Sequence, residues 1–165
     1  MRNVLLTAAA LAGLVVLTPA RAGSFTLSTG QVEPDTRGFD AATTANVRYG
    51  VEVLDLALAE IDLEVEGATD IDAGETASGR EYGFDSVGAA VSARTAGPLY
   101  FIGRYGIARN RLDIDGGRDI TETQQSIGVG VGASAGVAQF ELMATHYPEE
   151  GALDDVTWLT LGVRF

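Results

Sequence analysis

From Val156 to Phe165 the segment VTWLTLGVRF places Leu159, Leu161, Val163 and Phe165 at every second position, with Trp158, Thr160, Gly162 and Arg164 between them. A period of two is that of a β-strand with one apolar face. The alternation recurs along the chain in eight segments, at about 24–32, 43–54, 55–66, 82–94, 98–112, 122–134, 136–147 and 154–165. Each has at least roughly the 9–11 residues that a tilted strand needs to cross a bilayer. No segment of helical period competes with them.

The two faces differ in kind. One gathers Val47, Val51, Val53, Ala57, Ile61, Leu63 and Val65, and later Phe101, Ile127, Val129, Phe140 and Leu142. The other gathers charge, with Arg48, Glu52, Glu60, Asp62, Glu64, Arg94, Arg104, Glu141 and Arg164, together with Gly50, Gly88, Gly106, Gly128, Gly130, Gly132 and Gly162. Glycine weakens a strand and has no use on a roomy exposed face, whereas a narrow interior selects small residues. The polar face therefore points inward and the apolar face meets lipid. A soluble, lipocalin-like carrier with the faces exchanged is the alternative. The aromatic residues suggest two interfacial girdles, with Phe25, Phe101 and Phe165 toward the turn end and Tyr49, Tyr82, Phe84 and Tyr147 toward the loop end.

Connections alternate in length. Tight turns are expected at Leu54-Asp55, Ala96-Gly97-Pro98 and Ala135-Gly136, and longer polar connections begin near Glu33, Gly67, Asp113 and Pro148. An even strand number lets the first strand pair with the last, which removes the free edges that would otherwise template aggregation. The expected fold is all-β: an eight-stranded antiparallel up-and-down transmembrane β-barrel over residues 23–165. Both termini would lie on the periplasmic side.

Residues 1–22 are expected to be a cleavable signal peptide, with Arg2 as the positive region, an apolar run from Val4 to Leu17 and Ala20-Arg21-Ala22 as the cleavage site. The 165 residues hold 23 acidic side chains against 11 basic ones, a net charge of −12. That balance argues against a nucleic-acid partner, whose phosphates need a basic surface. Cysteine is absent, so neither a disulfide framework nor a thiolate metal site is available.

On the strand and loop count, the leader and the VTWLTLGVRF segment, the chain from Gly23 resembles the small eight-stranded bacterial outer-membrane barrels, the OmpX and OmpA-transmembrane-domain type. The resemblance implies that the last strand, with Leu159, Leu161, Val163 and Phe165, is the signal read by the barrel assembly machinery. It also implies escort by periplasmic chaperones, a monomer among outer-membrane lipids and lipopolysaccharide, and no cofactor. Members of that group range from structural anchors to adhesins and lipid-modifying enzymes, so the fold does not name the function. The modest loops depart from those of long-looped adhesins.

The inward charges are the chemically suggestive set. Eight strands leave a lumen only wide enough for side chains, so Glu52, Glu60, Asp62, Glu64 and Glu141 must meet Arg48, Arg94, Arg104 and Arg164. The set is read as a structural ion-pair plug or, more sharply, as a gate on a narrow path that favours cations. In the loops, Asp70, Asp72, Asp113 and Asp115 could hold a divalent cation loosely, although the calcium-loop spacing lacks its glutamate because Gln124 stands there. The Gly128–Gly132 run lacks the strand-then-helix setting of a phosphate loop. His146 is the sole histidine, and no His-x-Ser motif of the lipid A deacylases surrounds it. The expected function is a non-enzymatic structural barrel with at most a narrow ion-conducting lumen, the alternative being a surface module that binds through its acidic loops.

Overall fold

The computed structural model describes residues 23–35, 39–117, 119–149 and 155–165. The expected signal peptide lies outside the described residues. The elements are β1 (Gly23–Pro34), β2 (Ala42–Leu56), β3 (Ala59–Asp72), the short β4 (Gly74–Glu75), β5 (Glu81–Thr95), β6 (Leu99–Ile114), β7 (Ile120–Ala135), β8 (Ala138–Tyr147) and β9 (Val156–Arg164). Every pairing is antiparallel between sequence neighbours, except that β3 pairs with β5 past the two-residue β4, and β1 pairs with β9. The sheet thus closes into an eight-stranded up-and-down barrel to which β4 adds a short extra rung at the loop end. No α-helix occurs among the described residues.

The face assignment holds along the turn-side part of the barrel strands, while toward the loops the inside becomes apolar. Leu27, Leu63, Val87, Tyr105, Val129, Leu142 and Leu161 are exposed on the outside, while Arg48, Asp62, Glu64, Arg94, Arg104 and Glu141 are buried inside. This excludes the exchanged arrangement of a soluble carrier. The inward glycines make room for neighbours across the lumen. A Cβ on Gly132 would overlap the Tyr100 ring, and one on Gly130 would meet the Met143 sulfur at 2.7 Å.

The first tight turn lies three residues later than expected, at Ala57-Leu58 instead of Leu54-Asp55. The cause is a β-bulge between Glu52 and Leu54, where the register against β3 shifts by one. An extra residue breaks the period of two, so Val53 and Leu54 both face outward and pairing continues to Leu56 opposite Ala59. The third turn sits at Gly136-Val137, one residue past the expected place. Gly136 adopts φ +66, a left-handed conformation that glycine takes without strain.

The loop-end girdle does not form. Tyr82, Phe84 and Tyr147 share the inward parity of Arg94 and Glu141 and are buried inside the barrel. Tyr49 does face outward, but its ring lies 6.3 Å from Phe25, which belongs to the turn-end set. Phe25, Phe101 and Phe165 are exposed on the outside, as the alternation predicts.

Candidate functional site

The lumen is stratified along the barrel axis. In its turn-side half, Tyr100, Ile102 and Met143 form a small apolar cluster. Among and above them lies the charge network, at whose centre Arg94 donates to three carboxylates: to Asp62 at 2.7 Å, to Glu64 at 2.6 Å and to Glu141 at 3.0 Å. Arg104 bridges Glu64 and Glu66, at 2.9 Å each. Arg48 reaches Glu141 at 3.0 Å, and Arg164 joins Asp62 at 2.9 Å to Glu60 at 2.7 Å. The strands dictate this convergence, because each contributes its charge at an alternate inward position and the barrel brings distant strands face to face. The Arg48–Glu141 pair spans 93 residues of sequence.

Charge balance decides what the network can do. Four buried arginines face four buried carboxylates, Asp62, Glu64, Glu66 and Glu141. The surplus acids do not enter the buried set. Glu60 remains partly exposed beside Arg164, and Glu52, half-buried beside Asp62 in register, stands outside the ion pairs of the described residues. The expected excess of lumenal acid that would favour cations is therefore absent from the buried network. Each charge is held by several partners at once, as ions withdrawn from water require. Glu66 was missed by sequence reading because its segment was taken to end there; it lies at the next inward position after Glu64 and so carried the same signal.

Above the charges comes a neutral polar layer. Asn46 donates to Glu66 at 3.3 Å, Ser86 to Asn110 at 2.7 Å, and Asn110 to Gln124 at 2.8 Å. Then the lumen turns aromatic. Trp158 lies edge-on to Phe84 with ring centroids 6.2 Å apart, sits 6.5 Å from Tyr147, and donates its indole N–H to Thr44 at 2.8 Å. Phe39, from the β1–β2 connection, packs on Tyr82 at 5.3 Å, and the Tyr82 hydroxyl donates to the Asp40 carbonyl at 2.6 Å. A void beneath Trp158, lined in part by Arg48, Glu66, Arg104 and Met143, measures only about 10 Å³. That is at most room for roughly one water, and too little for an ion with its hydration shell.

The loop carboxylates do not converge on a metal geometry. Arg111 pairs with Asp119 at 2.7 Å and with Asp113 at 3.2 Å, and no group of three or more candidate ligands is found among the described residues. The expectation for Asp70, Asp72, Asp113 and Asp115 as a loose cation site finds no support in this arrangement. His146 faces outward, with Ile127 and Thr157 as its register partners, so no carboxylate or serine stands opposite it on either side. Leu159, Leu161, Val163 and Phe165 line the outer face of β9, away from the network.

Two sequence comparisons return nothing: no protein-family model matches the chain, nor does any curated protein. Solved structures do match it. Neisserial surface protein A aligns at 14% identity over 86% of this chain and 94% of its own, with a TM-score of 0.56. This chain has the fold of the small eight-stranded outer-membrane β-barrels. Ail, the attachment invasion locus protein of Yersinia pestis, is similar over 88% of this chain and all of its own (100%), at 15% identity and TM-score 0.55. The outer membrane enzyme PagL is similar over 86% and 98%, at 10% identity and TM-score 0.54. Likeness at this identity concerns the fold alone, so an attachment protein and an enzyme can share the outer-membrane barrel without lending it their activities.

Proposed function

We propose that the protein is an integral outer-membrane barrel, with its short turns and both chain ends toward the periplasm, acting as a closed structural element of the envelope and neither as a pore nor as an enzyme. The observation that carries this reading is the filled lumen, in which four arginines and four carboxylates are buried and bound to one another beneath an aromatic layer. An ion path would have to break that network. The decisive experiment is planar-bilayer recording of refolded protein whose closure is confirmed by a gel-mobility shift on heating. The expected result is a heat-modifiable band with no discrete conductance. Discrete channels from the same preparation would overturn the closed reading.

The non-enzymatic part of the reading rests on the surroundings of His146, which has Ile127 and Thr157 opposite it and neither a serine nor a carboxylate to complete a Ser-His-acid arrangement. Mass spectrometry of lipid A from cells carrying wild type or His146→Ala should give identical spectra, and a lost modification in the variant would sink it. The monomeric barrel would be surrounded by lipid and lipopolysaccharide, delivered by periplasmic chaperones. The outward row Leu159, Leu161, Val163 and Phe165 would be offered to the assembly machinery. Replacing Phe165 by Ala should lower the amount of folded barrel in outer-membrane fractions while leaving in vitro refolding largely intact. A second reading, a surface that binds cationic ligands, is favoured by the exposed acids Glu33, Asp40, Asp72, Glu75 and Asp115 at the loop end.

A further inference from the structure

The apolar outer face has an upper boundary and no lower one. Toward the loops, each strand reaches a polar outward residue: Thr29 after Leu27, Asp85 after Val87, Arg109 after Ile107, Gln125 after Ile127, Thr157 after Leu159. Toward the turns most strands end apolar on the outside, Thr95 being a polar exception whose hydroxyl accepts from the Phe101 N–H. The bulge sends Leu54 and Leu56 outward just before the Ala57-Leu58 turn, Leu99 follows Ala96-Gly97-Pro98, and Val137 forms the tip after Gly136. Leu58 is 80% exposed, Leu99 76% and Val137 93%. Asp55, which is exposed, and Glu60, which is bound to Arg164, pair across the hairpin at the inward parity and so lie off the outward row.

Dimensions point the same way. On β7 the outward apolar run from Ile127 to Ala133 spans only about 15 Å along the axis, at a rise of ~3.3 Å per residue and a tilt of ~40°. Outer-membrane barrels carry an apolar band of about 25 Å. Only when Ala135 and Val137 are counted does β7 reach that height. Phe101 and Phe140 stand one outward position or more above the neighbouring tips, so the phenylalanines lie within the band and do not mark its lower rim.

Some of the backbone polarity at the Ala57-Leu58 and Ala96-Gly97-Pro98 tips is answered within the protein. The Leu58 carbonyl accepts from Ala96 N–H at 2.9 Å, the Pro98 carbonyl accepts from Ser134 N–H at 2.8 Å, and Phe25 and Phe165 exchange bonds of 3.1 and 2.8 Å. The Phe101 N–H donates to Thr95 at 2.9 Å, and Pro98 has no N–H to satisfy. Internal pairing of this kind is what a site without water requires. Beside the tips, a groove of about 380 Å³ between Leu99, Phe101, Phe140 and Leu161, floored by Gly132 and Ala133, offers a channel of the kind that suits an acyl chain.

We propose that the turn tips Ala57-Leu58, Ala96-Gly97-Pro98 and Gly136-Val137 are immersed in the hydrocarbon of the turn-side leaflet and not in water, with lipid acyl chains covering the apolar turn end. The proposal rests on the membrane-barrel reading above and adds to it how deep the barrel sits. The chain contains no cysteine, so single substitutions give unique labels. Nitroxides would be placed at Leu58→Cys and Val137→Cys, with Val129→Cys as the mid-band reference and Asp115→Cys as the aqueous reference. Each heat-modifiable variant would be refolded into vesicles of phosphatidylethanolamine and phosphatidylglycerol, and relaxation by oxygen compared with relaxation by a water-soluble nickel chelate. The expected result is that the Leu58 and Val137 labels follow Val129, with oxygen several-fold the more effective.

Tips as accessible to nickel as Asp115, with Val129 still in hydrocarbon, would overturn the immersion and leave the barrel reading intact. Nickel access at Val129 itself would overturn both. Shielding of the tips that disappears as vesicles are made richer in lipid would assign the surface to a second copy of the chain, and so overturn the proposal as well.

Discussion

Two halves of this barrel obey opposite rules. In the turn-side half the outside is apolar and the inside holds Arg48, Asp62, Glu64, Arg94, Arg104 and Glu141; in the loop-side half the outside carries Gln31, Asp85, Arg109 and Gln125 while the inside holds Phe84, Tyr147, Val156 and Trp158. The reversal falls near one level on most strands, although Ile71 stays exposed at the loop end of β3. In the proposed membrane placement the solvent below it is lipid, so hydrophobic burial gives no reason to fill the lumen with apolar groups, and polar residues meet one another there. Above it the solvent is water, and the same strands build a core of the soluble kind, with the large apolar side chains inside. One barrel wall therefore serves two solvents, and what changes between the halves is only which parity of residue is hydrophobic.

The comparison can be broken from either half. The largest effect is expected from Arg94→Ala, which strands Asp62, Glu64 and Glu141 as poorly compensated buried carboxylates and should cost about 3–5 kcal/mol. Urea titration of the refolded barrel in vesicles, read by gel mobility, measures it. A loss near zero would mean that the network is dispensable. Trp158→Ala should cost a similar or slightly smaller amount, about 3–5 kcal/mol, by emptying the centre of the aromatic layer and leaving Thr44 without its donor. Because Trp158 belongs to the water-side half, its cost should not change when vesicles of shorter acyl chains are used; strong dependence on bilayer thickness would place that layer within the membrane.

Smaller effects sharpen the picture. Gly132→Ala should destabilise by about 1–3 kcal/mol, since the new methyl meets the Tyr100 ring, and the loss should shrink in a Tyr100→Ala background. Additive losses would show that the two positions do not compete for space. Removing one hydroxyl with Tyr82→Phe should cost about 1 kcal/mol and speed amide exchange of Asp40, whose carbonyl loses its donor while the Phe39 contact remains. Arg111→Ala is expected to stay within about 0.5 kcal/mol, because its pairs with Asp113 and Asp119 are solvent-exposed.

Most of the fold was legible because a period of two is a local property. A residue such as Leu161 or Arg104 reports its face through its immediate neighbours, and closure follows from an even number of such strands. The bulge at Val53 was not legible, because Val-Leu-Asp-Leu-Ala-Leu alternates plausibly in either register and only pairing with β3 selects one. Tyr82, Phe84 and Tyr147 show a different failure. Their parity marked them as inward, yet aromatic type near a strand end suggested an interface. Where the interface lies along the strand is a relation among all eight strands, which no single segment contains.

The site divides in the same way. Sequence marked Arg48, Asp62, Glu64, Arg94, Arg104, Glu141 and Arg164 as sharing one interior, since parity alone assigns a face. It could not say which carboxylate each arginine binds, that Glu52 stays out, or that the buried charges cancel. By itself the sequence determined the strands, the faces and the closed barrel, because side-chain alternation is written residue by residue. Only the tertiary structure decided the partners and the level at which lipid-side rules give way to water-side ones, because both depend on the stagger by which distant strands are brought to the same height.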